Sequence, residues 1–235
     1  MRYAISFTTP AGDPLSFAAA SWLGRSVYSG EAVEHPAIRG LGLHEIAFHT
    51  ALPRRYGFHA SLKAPFRMDP ERTEASLLRD MMRFAGTLEP FDLPRLEVAR
   101  LGDFFGLMPT KPCPALDYLA AAVVQEFDSY RAPLTEGELE RMAPERLTAP
   151  QFANLYRWGH PYAMEEFRFH MTLTGPLGGR DVERFGTTLN DYFGPLLCER
   201  IIVNNLALFF EREPGAPFQV HSLHPMGRVS ARRTA

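Results

Sequence analysis

Residues 56–66 of the chain are YGFHASLKAPF, and residues 167–177 are FRFHMTLTGPL. The two segments align without a gap, and four of the eleven positions are identical, namely Phe, His, Leu and Pro. Ser61 in the first segment corresponds to Thr172 in the second, so that both segments carry a His-x-Ser/Thr motif. A match of this length indicates an internal repeat, and we expect two similar lobes that each contribute a central strand.

Polar and apolar residues alternate in both segments, which is typical of a strand with one buried face. The polar faces then carry His59, Ser61 and Lys63 in the first segment, and Arg168, His170, Thr172 and Thr174 in the second. We expect Pro65 to end the first strand and the Gly175-Pro176 pair to end the second.

Two imidazoles and two hydroxyls that meet across a groove suit a phosphodiester as substrate. In-line displacement at phosphorus needs a base on one side and an acid on the other, and an imidazole with an unperturbed pKa of ~6.5 serves in either role. We therefore predict His59 and His170 as the acid–base pair. The hydroxyls of Ser61 and Thr172 are predicted to donate hydrogen bonds to the non-bridging phosphate oxygens.

Three further residues of the repeat are predicted to bind the substrate. Lys63 and Arg168 would supply positive charge to the phosphate, although both could equally be solvated charges on strand edges. Tyr56 would line the mouth of the groove, with packing as the alternative. No cofactor is expected.

The other histidines and the cysteines do not indicate a metal site. His35, His44, His49 and His160 have no cysteine or carboxylate at metal-ligand spacing, and Cys113 and Cys198 stand alone. His221 and His224 are three apart on a predicted strand, which would place them on opposite faces.

The remaining chain alternates between predicted strands and helices. Further strands are predicted at 3–9, 92–100, 103–109, 200–212 and 217–224, and helices at 15–27, 71–88, 114–130, 150–158 and 179–193. Residues 43–51 fit either a helix or a strand, and the Phe pairs at 104–105 and 209–210 are predicted as core. Several of the strands are joined as hairpins, which favours an α+β fold with antiparallel sheets over a parallel doubly wound fold.

Size and charge restrict the kind of protein. The chain has 235 residues, 46% of them apolar, which is enough for a sizeable core. We expect one domain over residues 1–226 and a basic tail at 227–235. The net charge of −2 gives no reason to expect long nucleic acid as a partner. The chain has no leader-like segment, no apolar run near 18 residues and only two lone cysteines, so we expect a cytoplasmic protein without membrane contact.

Paired His-x-Ser/Thr motifs on strands of two related lobes resemble the 2H phosphoesterase superfamily, which includes LigT-like bacterial RNA 2′,3′-cyclic phosphodiesterases and the plant cyclic phosphodiesterases. The fuller segments are most similar to a bacterial branch often encoded beside phosphonate-degradation genes. The resemblance implies a bilobal fold in which two antiparallel sheets face a central groove and helices pack outside. The histidines lie further apart in sequence than in the compact members, which implies an insertion at about 110–160.

The resemblance also implies an activity, which is hydrolysis of a cyclic phosphodiester without a metal. The substrate would be a small nucleotide-like or phosphorylated molecule, and a phosphoribosyl cyclic phosphate is the candidate for the phosphonate-associated branch. His170 would activate water, and His59 would protonate the leaving oxygen. Two alternatives stay open, namely a non-catalytic module that binds a nucleotide or phosphorylated metabolite, and an enzyme of RNA end processing or ligation. The sequence does not indicate an oligomeric state.

Overall fold

The computed structural model describes residues 1–227, which contain nine strands and eight α-helices. In chain order they are β1 (Arg2–Phe7), α1 (Pro14–Leu23), α2 (Leu43–His49), α3 (Ala51–Tyr56), β2 (Ala60–Phe66), α4 (Glu74–Ala85), β3 (Phe91–Asp92), β4 (Leu96–Leu101), β5 (Phe104–Pro109), α5 (Pro114–Glu126), α6 (Glu136–Arg141), α7 (Ala149–Trp158), β6 (Met171–Thr172), α8 (Asp181–Phe193), β7 (Ile202–Val203), β8 (Asn205–Glu211) and β9 (Gln219–Pro225). All pairings between these strands are antiparallel, so the predicted α+β class is confirmed. The predicted tail lies outside the described residues from position 228 onward.

The strands form two main sheets. The first sheet has the order β2-β1-β8-β9, the second has the order β4-β5-β6, and β3 pairs with β7 in a short separate ladder. The two repeated segments therefore lie on edge strands, β2 and β6, and not on central strands as expected. These two edges contact each other, so the fold brings the repeated segments together where the two sheets meet.

One continuous hydrophobic core holds both repeated segments. Phe58 from the first segment and Phe169 and Leu173 from the second are buried in it. The ring of Phe169 lies 6.3 Å from that of Phe7 on β1. The indole N–H of Trp22, a fully buried residue of α1, donates to the Leu173 carbonyl at 2.8 Å. Because these apolar residues are buried, the polar side chains that alternate with them must point away from the core.

The first segment departs from regular alternation because β2 is bulged. Ser61 is opposite Ser6 on β1, but Lys63 is opposite the very next residue, Ile5, so one extra residue is accommodated in β2. Lys63 thereby leaves the face of Ser61 and is buried at 3% exposure. Pro65 does not end the strand as predicted, because on an edge strand its missing N–H breaks no ladder bond.

The second segment forms much less regular strand than predicted. Only Met171 and Thr172 pair with a neighbouring strand, at Leu107 and Gly106 of β5. The alternation of buried and accessible side chains nevertheless extends over 167–172. Thr174 is an exception to the predicted polar face, since it is fully buried and its hydroxyl accepts a hydrogen bond from the backbone N–H of Phe105 at 3.0 Å.

Other element boundaries differ in detail. The ambiguous stretch 43–51 is helical and belongs to α2 and α3, and α1 stops at Leu23, where Gly24 caps it. Residues 110–160, predicted as an insertion, contain α5, α6 and α7. Within residues 1–227, no helix has the length and apolar character that a membrane span requires.

Replacing Gly106 with Ala is expected to destabilise the protein by about 1–3 kcal/mol, because overpacking forces the backbone to move. A Cβ at this position would lie 2.9 Å from the Met171 carbonyl oxygen, inside the β5–β6 pairing. Urea denaturation measures the change. Gly137→Ala is the matched control, since that helical site has open space and the same substitution is expected to stabilise it. An unchanged midpoint for Gly106→Ala would contradict the packing described here.

Candidate active site

His59 is held immediately before β2 by the turn that follows α3. Its Nδ1 lies 2.9 Å from the Gly57 carbonyl oxygen, and its Nε2 lies 3.0 Å from the Ser61 hydroxyl. Gly57 has φ = +78°, and a Cβ there would lie 2.3 Å from a Val27 methyl group, so the turn requires glycine. The turn and the ring of Phe209, 5.2 Å away, together fix the imidazole.

His170 is held in the same manner. Its Nδ1 lies 2.7 Å from the carbonyl oxygen of Arg168, which is again the residue two positions earlier. Its ring packs against Phe104 at 5.5 Å, much as His59 packs against Phe209. The repeat seen in the sequence is therefore also a repeat of side-chain geometry.

The carbonyl partners determine where the proton of each neutral imidazole resides. A carbonyl oxygen only accepts hydrogen bonds, so Nδ1 of both His59 and His170 must be the N–H donor. The lone pair is then on Nε2 of each ring. In His59 this nitrogen accepts from the Ser61 hydroxyl, whereas Nε2 of His170 has no hydrogen-bond partner within residues 1–227. Both rings thus present Nε2 as a base.

Burial keeps both histidines neutral near pH 7. It lowers the pKa of His59 to about 4, with the hydrogen bond to Gly57 acting in the opposite direction and the charge of His170 lowering it further. Burial also lowers the pKa of His170, and the bond to the Arg168 carbonyl opposes that shift.

Each of the two hydroxyls is two residues after a histidine, and that of Ser61 contacts His59. Ser61 is exposed on β2 and Thr172 is half-buried on β6, the two strands that contact each other. Two imidazoles and two hydroxyls therefore lie where the two sheets meet. This arrangement can bind an anion and can move protons at Nε2 of either ring.

Lys63 does not share this surface. Its ammonium donates to Asp128 at 3.1 Å and approaches the Val124 carbonyl at 3.5 Å. Asp128 also accepts from Arg131 at 2.9 Å. Burial lowers the pKa of Lys63, while Asp128 acts in the opposite direction. Regular alternation predicted that Lys63 lies on the same face as Ser61. The bulge in β2 makes this prediction wrong, because it turns Lys63 to the opposite face, where the ammonium pairs with Asp128.

The other two predicted binding residues have local partners. The guanidinium of Arg168 is exposed and donates to the carbonyls of Glu165 at 3.0 Å and Phe167 at 2.7 Å. Tyr56 stacks on Phe218 with ring centroids 5.5 Å apart. Neither residue is directed at the histidines by these contacts.

Two residues that contact the histidines were predicted only as core. Phe104 and Phe209 each belong to a pair of adjacent phenylalanines on a strand, and neighbouring strand residues point to opposite faces. One member of each pair is therefore available to the histidine side. The sequence could have indicated this, because two adjacent phenylalanines on a strand point to opposite faces. A strand with one buried face needs only one of them for the core.

The remaining histidines do not assemble a metal site. The Ser222 hydroxyl lies 3.3 Å from Nδ1 of His221 and 2.9 Å from Nε2 of His224. Regular alternation predicted these two histidines on opposite faces, but a bulge in β9 disturbs the alternation there. Across residues 1–227, no group of three or more His, Cys, Asp or Glu side chains is arranged to hold a metal ion.

Comparison with known proteins identifies relatives of the whole chain. Residues 61–219 match the model of a family described as "Protein of unknown function (DUF1045)". A protein from Janthinobacterium sp. (strain Marseille) named ribose 1,5-bisphosphate phosphokinase PhnN is 38% identical over 221 residues, covering 92% of this chain and 49% of that protein. One of the same name from Laribacter hongkongensis (strain HLHK9) is 32% identical over 222 residues, covering 94% and 50%. The chain spans about half the length of these curated relatives.

Solved structures similar to this chain include E. coli LigT complexed with 3′-AMP, at a TM-score of 0.42 and 12% identity over 96% of this chain and 98% of that chain. A structure described as a phosphoesterase has a TM-score of 0.41 and 13% identity, covering 96% and 98%. The chemistry of the site is set by the chain's own residues.

The depressed pKa of His59 predicts a specific pH dependence of stability. Between pH 6.5 and about 4 the unfolded chain binds a proton that folded His59 does not, so the free energy of unfolding is highest above pH 6.5 and falls as the pH drops towards 4. Urea denaturation from pH 7 to pH 4 measures this slope. His59→Gln is expected to reduce the slope without abolishing it, because burial also lowers the pKa of His160 to about 4. Equal slopes in both proteins would contradict a depressed pKa.

Proposed function

The chain belongs to the DUF1045 family, and we propose that it is a metal-independent phosphoesterase that hydrolyses a small cyclic phosphodiester. One observation carries this proposal. The two motif histidines are held in the same way, each with Nδ1 on a carbonyl oxygen and Nε2 available as a base, where two strand edges meet. A duplicated proton-transfer group is what in-line displacement needs, since one side of phosphorus loses a proton and the other side gains one.

The reaction follows from this arrangement. Nε2 of one histidine takes a proton from water as the water oxygen bonds to phosphorus. The bond from phosphorus to one ring oxygen breaks, and that oxygen receives a proton from Nε2 of the other histidine. When the substrate binds, the Ser61 hydroxyl turns from Nε2 of His59 to the phosphate, which frees that nitrogen as a base. Ser61 and Thr172 then donate hydrogen bonds to the non-bridging oxygens, where negative charge develops. One water is consumed, and the product is a phosphomonoester that carries the new hydroxyl beside it.

The pKa values favour one division of roles between the histidines. The base must be neutral before the reaction; burial lowers the pKa of His59 to about 4, and the Ser61 hydroxyl that donates to its Nε2 also favours the neutral ring. The acid must be protonated, and an anionic substrate bound between the rings raises the pKa of both. We therefore assign His59 as the base and His170 as the acid, which reverses the roles implied by the family resemblance.

The names of the relatives support a phosphoribosyl substrate. Hydrolysis of the bond between phosphorus and O2 in a 5-phosphoribosyl 1,2-cyclic phosphate yields ribose 1,5-bisphosphate. This compound appears in the name of the two relatives, of whose length this chain covers about half. The 235 residues contain no Gly-Lys pair and hence no G-x-x-x-x-G-K-[ST] phosphate loop, so this chain gives no motif for the phosphokinase activity itself. A hydrolase beside such a kinase would supply the kinase with its substrate.

Alanine substitution of either histidine is expected to lower kcat by about 10²–10⁴-fold, the range for a general acid or base. Ser61→Ala and Thr172→Ala are expected to cost about 10²-fold each. Turnover of cyclic phosphates in excess EDTA, measured by phosphorus NMR, tests the metal-independent mechanism. Activity that disappears with EDTA and returns with a divalent cation would contradict it, and ligand binding without turnover would identify a binding module instead.

A p-nitrophenyl phosphodiester separates the two roles, because its leaving phenolate needs no protonation. On this substrate His170→Ala is expected to retain far more activity than His59→Ala, whereas both variants are nearly inactive on the cyclic substrate. Release of p-nitrophenolate gives the rates directly. The opposite order would show that His59 is the acid.

A further inference from the structure

An excess of arginine lies beside the candidate site on the first sheet. Glu211, at the end of β8, is fully buried and accepts from Arg2 at 2.9 Å and from Arg55 at 2.7 Å. These guanidinium groups and a backbone N–H hold the pKa of Glu211 at about 2 against the effect of burial. Arg25 lies beside Arg55 and donates to its carbonyl, and neither Arg25 nor Arg54 has a carboxylate partner within residues 1–227. Arg2 and Arg55 thus share one carboxylate, and Arg25 adds a positive charge that no carboxylate of the described residues pairs with.

Arg25 is the most enclosed member of this arginine cluster. It donates to the carbonyls of Arg54 at 3.0 Å, Arg55 at 3.2 Å and Phe218 at 2.6 Å, and it is 8% exposed. Burial lowers its pKa, with the charge of Arg54 acting in the same direction. A buried charge without a counter-ion is costly and normally has a partner or a use.

The cluster is within reach of the histidine pair. Glu211 is two residues along β8 from Phe209, which places it about 7 Å further along the strand. The ring of Phe209 is 5.2 Å from that of His59, and Arg55 is four residues before His59 in sequence. The separation between the cluster and His59 is therefore on the order of 10 Å. A ribose with phosphoryl groups at both ends covers such a distance once its hydrogen bonds to the protein are included.

Part of the cluster is open to a ligand. The side chains of Arg2 and Arg55 are 29% and 33% exposed. Nε of Arg55 is buried and has no hydrogen-bond partner in the described chain. Planar guanidinium groups bind phosphate through paired N–H donors, and a phosphomonoester carries a charge of about −1.5 to −2 at pH 7. A terminal phosphate matches this excess of positive charge better than a carboxylate does.

We propose that Arg55 and Arg2, backed by the buried charge of Arg25, form a subsite for a second, non-reacting phosphoryl group of the substrate. This inference rests on the proposed function, because it concerns the same substrate. It identifies that substrate as a sugar that carries a phosphomonoester in addition to the cyclic phosphodiester. Glu211 then has a role besides pairing, since its hydrogen bonds hold Arg2 and Arg55 in place before the ligand arrives.

The test compares α-D-ribosyl 1,2-cyclic phosphate with and without a 5-phosphate. Wild-type protein is expected to prefer the 5-phosphorylated compound by about tenfold to 100-fold in kcat/KM, the range of charge-assisted hydrogen bonds. Arg55→Gln is expected to remove most of this preference, chiefly through KM, while Arg55→Lys retains an intermediate share. Arg79→Gln is the control, because Arg79 is 70% exposed on α4, which packs against the opposite face of the sheet. Thermal unfolding of each variant confirms that it is folded.

The outcomes separate the subsite from the proposed function. Equal turnover of both compounds by the wild type, or equal loss on both in Arg55→Gln, would overturn the subsite and leave the phosphoesterase proposal standing. If neither compound is hydrolysed, the phosphoesterase proposal fails for these substrates, and calorimetry with ribose 5-phosphate and ribose then decides about the subsite. Binding of ribose 5-phosphate alone, weakened in Arg55→Gln, supports it, and absence of binding overturns it.

Discussion

The site exists because the apolar residues that alternate with the two histidines are buried in one shared core. Phe58 on one side of His59, and Phe169 and Met171 on either side of His170, all belong to this core. Each is worth a few kcal/mol of burial, about 1.5–3 kcal/mol for a large side chain, and the polar residue between two such anchors has little freedom to turn. The ladder of β6 would not hold His170 in place by itself, since β6 pairs over only two residues. Packing, and not strand pairing, positions the second motif.

The same burial sets the electrostatics of the site. Enclosing an imidazole disfavours its charged form, so the free protein keeps His59 and His170 neutral, and the carbonyl partners leave both lone pairs on Nε2. An anion between the rings reverses the balance, because its charge stabilises a protonated imidazole at short range. In the proposed reaction, substrate binding and proton uptake are therefore coupled, and one ring becomes an acid only when a phosphate lies beside it.

Local sequence predicted the parts of the fold that depend on local physics. The hairpin at Gly102, the helices around α4 and α8, and the buried and exposed positions within 167–172 follow from turn chemistry and periodicity. The position of Lys63 could not be predicted, because the bulge that turns it away from Ser61 depends on the register with β1. The edge location of β2 and β6 likewise depends on which strands from distant parts of the chain pair. The alternation of polar and apolar residues thus predicts which side chains share a face only where pairing with the neighbouring strand introduces no bulge.

The distribution of positive charge depends on tertiary structure in the same way. A net charge of −2 does not predict a basic region on the protein. Only two of the 25 basic residues are lysines, at positions 63 and 111, and the others are arginines. Lys63 is compensated by Asp128, so the repeat contributes only Arg168 to the unmatched charge, and the other arginines lie outside the repeat. Arginine suits this place because its charge persists when it is buried and its fork can satisfy several carbonyls at once, as Arg25 does. The protein can therefore maintain a cationic region inside an overall acidic molecule, and this is the basis on which we propose a small, doubly anionic ligand and not a long polyanion.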